Sequence, residues 1–314
     1  MRDNFVIGSR GSKLALWQAE WVRARLAAAW PGVEVKIEVV KTSGDVLRDA
    51  PLSVIGGQGA FTKELEEALL SGRIDIAVHS LKDLPTVLPE GLHVAAVTER
   101  EDARDALVLR AGANHPAGSL ADLPRGAVVG TSSQRRRAQL KHLRPDVSIK
   151  ELRGNVDTRL RKLDAGEFDA VILASAGLRR LGFENRISAA LSTAEMLPAV
   201  GQGALGVETR VDDADTNELV SLLDDPQTRM ACEAERALLR SLGGGCLVPI
   251  AAHATVAGAR LRVEGLVAGP GGGRVLRDVV QDDASHAVRA GETLAARLRE
   301  QGADELLAET TNAG

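Results

Sequence analysis

The chain has 314 residues, 44% of them hydrophobic, so it can bury several cores, and its length suits two or three domains better than one. A net charge of -4 excludes a general nucleic-acid binder, which needs a basic field to displace counterions from phosphates. With 2% aromatic residues and no tyrosine, the stacking platforms of a single-strand binder are missing too.

In chain order, Asn4 to Gly8 reads as a strand. Ser12 to Trp30 reads as a helix with Leu14, Trp17, Trp21, Val22, Leu26 and Ala29 on one face, stopped by Pro31. Val33, Val35, Ile37 and Val39 alternate with charged residues, the period of a half-buried strand. The glycine-rich stretch from Thr42 to Ala60 is too long for a tight connection and reads as a loop over a site. A helix from Lys63 to Ser71 and a buried strand from Ile74 to His79 follow, the latter running into Ser80-Leu81-Lys82-Asp83-Leu84-Pro85. The middle of the chain repeats the pattern: strand Ala127 to Gly130, helix Gln134 to Leu143, strand Ser148 to Leu152, helix Val156 to Asp164, strand Ala170 to Ala174. Strands alternating with helices predict parallel sheets. From about Asp224 the character changes to a helix from Thr228 to Leu242, two strand-like runs (Ile250 to Val256 and Arg260 to Ala268) and a final helix from Ala284 to Gln301, a smaller α+β unit.

Two corners share a local logic. Gly8-Ser9-Arg10-Gly11-Ser12 and Gly130-Thr131-Ser132-Ser133-Gln134-Arg135-Arg136-Arg137 each leave a strand and enter a helix. Such a helix start offers free N–H groups and positive dipole, and hydroxyls and arginines add to it, so both corners read as anion sites. Arginine suits bidentate contact with carboxylates, and Arg153, Arg159 and Arg180 extend the set toward a ligand carrying many of them. The bland reading of Arg135 to Arg137 is a solvated helix face. Asp83, beside Lys82 at the end of a buried strand, is a candidate acid-base or cation-stabilising carboxylate, although a surface ion pair fits that segment equally well. His79 reads as a hydrogen-bonded core histidine.

Of two cysteines, Cys232 reads as a core thiol, whereas Cys246 follows Gly243-Gly244-Gly245, a loop that displays a thiol rather than burying it and suggests a point of attachment. No disulfide framework is expected, and six scattered histidines support no metal site. Gly201-Gln202-Gly203-Ala204-Leu205-Gly206 matches the dinucleotide fingerprint, but Val207 to Arg210 reads as extended where that fold needs a helix. No signal-peptide core and no apolar run of membrane-spanning length is evident, so a cytoplasmic location is expected. From these residues alone, a cleft protein that binds a polycarboxylate without catalysis, of the solute-binding type, remains open. A cysteine-dependent hydrolase lacks an evident base.

Taken together, Arg10 to Gln18, Val78 to Pro85, Gly130 to Arg136, Leu152 to Val156, Leu197 to Gly203 and Gly244 to Cys246 resemble the porphobilinogen deaminase family along essentially the whole chain. The resemblance implies a transferase of tetrapyrrole, haem-type biosynthesis that joins four porphobilinogen molecules head to tail into hydroxymethylbilane and releases four ammonia. It implies a dipyrromethane cofactor held by a thioether to Cys246, and no metal. It also implies roles: Asp83 as the catalytic carboxylate; Arg10, Ser12, Lys82, Thr131, Ser133, Arg135, Arg136, Arg153, Arg159 and Arg180 as binders of cofactor and substrate carboxylates; Phe61 as part of a lid. Gln58 stands where many members carry lysine. The implied fold is α/β: two doubly wound domains of the periplasmic-binding-protein type, 1–98 with 199–221 and 104–197, and a smaller α+β domain, 224–314, bearing the cysteine loop. A monomer that hands its product to uroporphyrinogen-III synthase, with no nucleic-acid or membrane partner, completes the expectation.

Overall fold

A computed structural model describes residues 2–42, 62–112, 118–244 and 248–312. Phe61, Gln58, Cys246 and nearly all of the Thr42 to Ala60 loop lie outside the described residues. The chain divides into two compact units, Met1–Glu101 with Ala204–Arg229 and Asp102–Gly203 with Met230–Gly314.

In chain order the first unit contributes β1 (Asn4–Ser9), α1 (Lys13–Ala29), β2 (Glu34–Val39), α2 (Lys63–Leu70), β3 (Ile76–Ser80), a 3-10 turn over Leu81–Asp83, and β4 (Leu92–Val97). The second unit then begins with β5 (Asp105–Leu109), β6 (Val128–Gly130), α3 (Gln134–Leu143), β7 (Ser148–Lys150), α4 (Val156–Asp164), β8 (Ala170–Ala174), α5 (Ser175–Arg180) and β9 (Ala189–Ala190). The chain returns to the first unit with β10 (Leu205–Arg210) and α6 (Ala214–Ser221). Helix α7 (Pro226–Ser241) leads to β11 (Ile250–Ala257), β12 (Arg260–Ala268), β13 (Val275–Asp283), α8 (Ala287–Glu300) and α9 (Ala303–Asn312).

The first sheet has the order β2-β1-β3-β10-β4 and the second β7-β6-β8-β5-β9. Both follow one plan. β1 is parallel to β2 and β3, and β6 is parallel to β7 and β8. The fourth strand of each, β10 or β5, runs antiparallel to both neighbours. The purely parallel sheets expected from the β-α alternation are therefore mixed. The opposed strand is in each case the one that follows directly on the chain's passage between units, so no crossover helix constrains its direction.

Both faces of each sheet are covered, which is why β3 and β8 read as continuous apolar runs. In the first unit Phe5, Ile7, Leu26, Ile76 and Val207 pack on one face and Leu65, Leu69 and Ala77 on the other. Helix α1 buries Ala15, Gln18, Ala19, Val22 and Leu26. The expected face is thus rotated: Leu14, Trp17 and Trp21 are only half-buried and Ala29 is exposed, because the two small alanines let the helix axis approach the sheet. Gly8, next to the last residue of β1, and Gly130, the last of the equivalent β6, are glycines for a steric reason. A Cβ at Gly8 would stand 2.2 Å from Ile74 Cδ1, and one at Gly130 would stand 2.8 Å from Phe168 Cδ1.

The C-terminal region forms an antiparallel β11-β12-β13 meander covered by α7 and α8, with Leu238, Leu261, Val263, Leu294 and Leu298 in its core. Among the described residues no helix is long and apolar enough to cross a membrane.

Candidate active site

The parallel arrangement of β1 and β3 brings their C-terminal ends together, so the Arg10–Ser12 corner and the Lys82–Asp83 turn border one cleft within the first unit. The cleft is open to solvent and lined by Arg10, Ser12, Gln18, His79, Ser80 and Asp83 among others. Ser12 caps α1, its Oγ accepting from Ala15 N at 3.2 Å, which leaves the helix N-terminus facing the cleft. Asp83 is exposed and Lys82 half-buried at the 3-10 turn, which closes with Leu84 N donating to Leu81 O at 3.2 Å. Gln18 Nε2 donates to Ser80 Oγ at 2.8 Å and ties α1 to the end of β3.

Gln18, His79 and Ser80 had no functional reading in the sequence. Gln18 occupies a helix position that the rotated apolar face conceals. His79 is buried as a hydrogen-bonded histidine, its Nε2 3.1 Å from Glu208 Oε2. Nearby Glu66 is held above the usual carboxylate range by burial and by the Glu208 charge.

In the second unit the corresponding corner follows β6. Thr131 N donates to Lys150 O at 3.1 Å, and Ser132 Oγ donates to Leu152 O, so the Thr131–Ser133 loop lies against the chain that leaves β7. Thr131 is buried, with Oγ1 accepting from Ser133 N at 3.2 Å, and Ser133 caps α3. The next two arginines are not displayed. Arg135 and Arg136 are 5% and 6% exposed. Arg135 Nη1 donates to Asp105 Oδ2 and to Leu197 O, both at 2.7 Å. Arg136 donates through Nε (3.1 Å) and Nη2 (2.7 Å) to Asp105 Oδ1 and through Nη1 to Ile172 O at 3.0 Å. Gln202 Nε2 adds a bond to Asp105 Oδ1 at 2.9 Å. Against the cost of burial, the two guanidinium charges hold the Asp105 carboxyl far below its ordinary range. The solvated-face reading therefore fails for these two residues: two cations share one anion beside a helix N-terminus, leaving net positive charge there.

The other arginines occupy separate local settings. Arg153 is half-buried and bonds Glu151 Oε1 through Nε at 2.8 Å, Arg159 Nε donates to Gly154 O at 2.7 Å, and Arg180 Nη2 donates to Gly203 O at 2.6 Å.

Helix α7 ends where the glycines begin. Gly243 has φ +65°, its N–H donating to Arg240 O, and Gly244 N donates to Leu239 O, both at 3.0 Å. Gly244 is buried against Leu239, Val248 and Ile250, so two of the three glycines preceding Cys246 serve helix termination and packing. Cys232 is buried and not part of a disulfide, as its helical setting predicted. No cluster of histidine, cysteine or carboxylate side chains able to hold a metal occurs among the described residues.

Residues 5–218 match the family model described as porphobilinogen deaminase, dipyromethane cofactor binding domain, and residues 229–300 match the porphobilinogen deaminase C-terminal domain. The chain is 48% identical over 310 residues to a porphobilinogen deaminase of Syntrophobacter fumaroxidans, covering 98% of this chain and 99% of the relative. It is 50% identical over 313 residues to one of Chlorobium luteolum, covering 98% of each. Among solved structures, the periplasmic aliphatic sulphonate binding protein SsuA of Escherichia coli aligns with a TM-score of 0.40 and 15% identity, over 77% of this chain and 71% of that one.

Proposed function

Because the chain belongs to the porphobilinogen deaminase family, we propose that it is a hydroxymethylbilane synthase, joining four porphobilinogen molecules head to tail with release of four ammonia. The observation that carries this reading is the first-unit cleft, where the Asp83 carboxylate stands with Arg10 and the Ser12-capped helix start at the ends of two parallel strands. That donor set fits a pyrrole bearing carboxylates. Arg10, Ser12 and the positive end of the α1 dipole take the acid side chains, while Asp83 accepts from pyrrole N–H and stabilises the positive charge that grows as ammonia departs.

Dipyrromethane, held by a thioether to Cys246, supplies the free pyrrole carbon onto which substrate units are added. Lys82, Thr131, Ser133, Arg153, Arg159 and Arg180 bind its carboxylates and those of the substrate. Arg135 and Arg136 act from behind: with their bonds to Asp105 and to backbone carbonyls in place, they supply fixed positive potential to the α3 corner. Phe61 belongs to the cover of the site. A three-domain division at 1–98 with 199–221, 104–197 and 224–314 is supported by three sheets, each with an apolar core, the second and third joined by a smaller cluster of Ala138, Leu197, Ala251, Leu266 and Ala268. A cytoplasmic monomer passing its product to uroporphyrinogen-III synthase completes the proposal.

The test is the intact mass of the denatured protein, with peptide mapping around Cys246. The expected result is an increment of two porphobilinogen units less two ammonia molecules on that peptide, before or after incubation with porphobilinogen. A Cys246 that stays unmodified after incubation, with no ammonia released, would overturn the reading in favour of a polycarboxylate-binding protein.

A further inference from the structure

Three ionisable side chains are buried together in the first unit, one of them, His79, among the residues that line its cleft, and the chemistry above uses none of them. Strand alternation places His79 on the same face of β3 as Ala77, which packs with Leu65 and Leu69 of α2. On that face Glu208 is fully buried on β10 and Glu66 is 8% exposed on α2. His79 Nε2 lies 3.1 Å from Glu208 Oε2. The second oxygen of Glu208 and the Oε1 of Glu66 are both buried with no hydrogen-bond partner among the described residues.

Two neighbouring buried carboxyl groups that each leave an oxygen without a donor are costly as a pair of anions, and one proton shared between them relieves both. Burial and the charge of Glu208 favour the proton on Glu66. Glu208 then remains the anion that accepts the His79 Nε2 proton, and a ring nitrogen committed in this way fixes the tautomer. Nδ1 is then the ring nitrogen left to accept a proton, on a residue that lines the cleft and is 6% exposed. The other charged residues that line the cleft are Arg10 and Asp83. Asp83 must stay ionised to hold developing positive charge, so a separate base divides the two roles between two environments.

We propose that His79 is a catalytic residue of the coupling reaction, the base that takes the proton displaced from the pyrrole carbon, with Glu208 and Glu66 as its positioning residues. The inference rests on the coupling reaction proposed above. In each coupling the C–N bond of the protonated aminomethyl group breaks and ammonia departs with the bonding electron pair. A C–C bond forms, the C–H bond at the attacked carbon breaks, and its electron pair returns to the ring. His79 Nδ1 takes the proton and passes it to the departed ammonia, which leaves as ammonium and restores the starting tautomer.

Two measurements test this. Nitrogen NMR of the ring, assigned with His79→Asn, is expected to show His79 protonated at Nε2 and not at Nδ1 in the wild type, with the preference lost in Glu208→Gln. Turnover of porphobilinogen carrying deuterium at its free pyrrole carbon is expected to show His79→Asn slowed by about a hundredfold, with a primary isotope effect larger than the wild type's. Nδ1 protonated in the wild type would overturn the proposal even if His79→Asn failed to fold. So would His79→Asn turning over at the wild-type rate with no added isotope effect. A wild type that released no ammonia would sink the coupling reading itself, whereas active wild type and active His79→Asn would sink the role of His79 alone.

Discussion

Asp105 meets Arg136 through two nitrogens on one carboxylate oxygen, Nε at 3.1 Å and Nη2 at 2.7 Å, while its other oxygen takes Arg135 Nη1 at 2.7 Å. All three side chains are nine-tenths or more buried. Removing the single anion leaves two guanidinium charges uncompensated in the interior. Asp105→Asn is therefore expected to destabilise the protein by about 3–5 kcal/mol, the cost of breaking a buried pair from one side. Denaturant unfolding measures it. An unchanged midpoint would mean that the arginines find their counter-charge elsewhere.

Asp105 and Glu66 bias stability in opposite directions with pH. The folded state depresses Asp105, so the unfolded chain binds more protons there. The stabilisation is complete above the ordinary carboxylate range, about 4, and is lost as pH falls below it. Glu66 is raised in the folded state by burial and by Glu208, so there the folded chain binds more protons. Its stabilisation is complete below about 4 and is lost as pH rises toward the folded value. Melting curves from pH 4 to 8 are expected to show that Glu66→Gln gains on the wild type as pH rises. A constant difference across that range would mean that Glu66 is ionised throughout.

The parts of the fold set by local chemistry were legible in the sequence. Ser12 and Ser133 mark helix starts because a serine oxygen can take a free N–H, and Ala170 to Ala174 reads as a strand because both its faces are covered. The direction of β5 and β10 was not legible, since it follows from where the chain passes between units. Neither was the burial of Arg135 and Arg136, whose counter-ion lies about thirty residues upstream on another strand. For the site, the Arg10–Ser12 corner and Asp83 could be read as strand-end residues. Gln18, Glu66 and Glu208 could not, because their meaning depends on cross-element pairs that no local motif carries.

Gly243 and Gly244 tighten the turn before Cys246 for different reasons, and substitution separates them. A Cβ at Gly243 would meet nothing within 4 Å, so Gly243→Ala bears only the cost of φ +65°, about 1 kcal/mol. A Cβ at Gly244 would come within 2.5 Å of Ile250 Cδ1 and 2.6 Å of Leu239 Cδ1, so Gly244→Ala overpacks that junction by about 1–3 kcal/mol. Denaturant midpoints rank the two. Intact mass after timed incubation with porphobilinogen is expected to show slower modification of Cys246 in Gly244→Ala than in Gly243→Ala. Equal loading rates would mean that the packing of Gly244 does not shape the attachment loop.

Asp83→Asn tests the proposed role of this side chain in stabilising positive charge. Asp83 is exposed at the end of its 3-10 turn, so the substitution is expected to leave the melting temperature nearly unchanged. The amide can still accept from a pyrrole N–H through its oxygen but cannot balance a developing cation. The loss should therefore fall on kcat, by about a hundredfold or more for a group that stabilises transition-state charge, with KM little affected because ground-state contacts persist. Asp83→Glu, which restores the charge at a displaced position, is expected to recover part of that loss. Steady-state kinetics of all three proteins, each first weighed to confirm the same occupancy at Cys246, separate the outcomes. A normal kcat in Asp83→Asn would assign the stabilisation of positive charge to another group in the cleft.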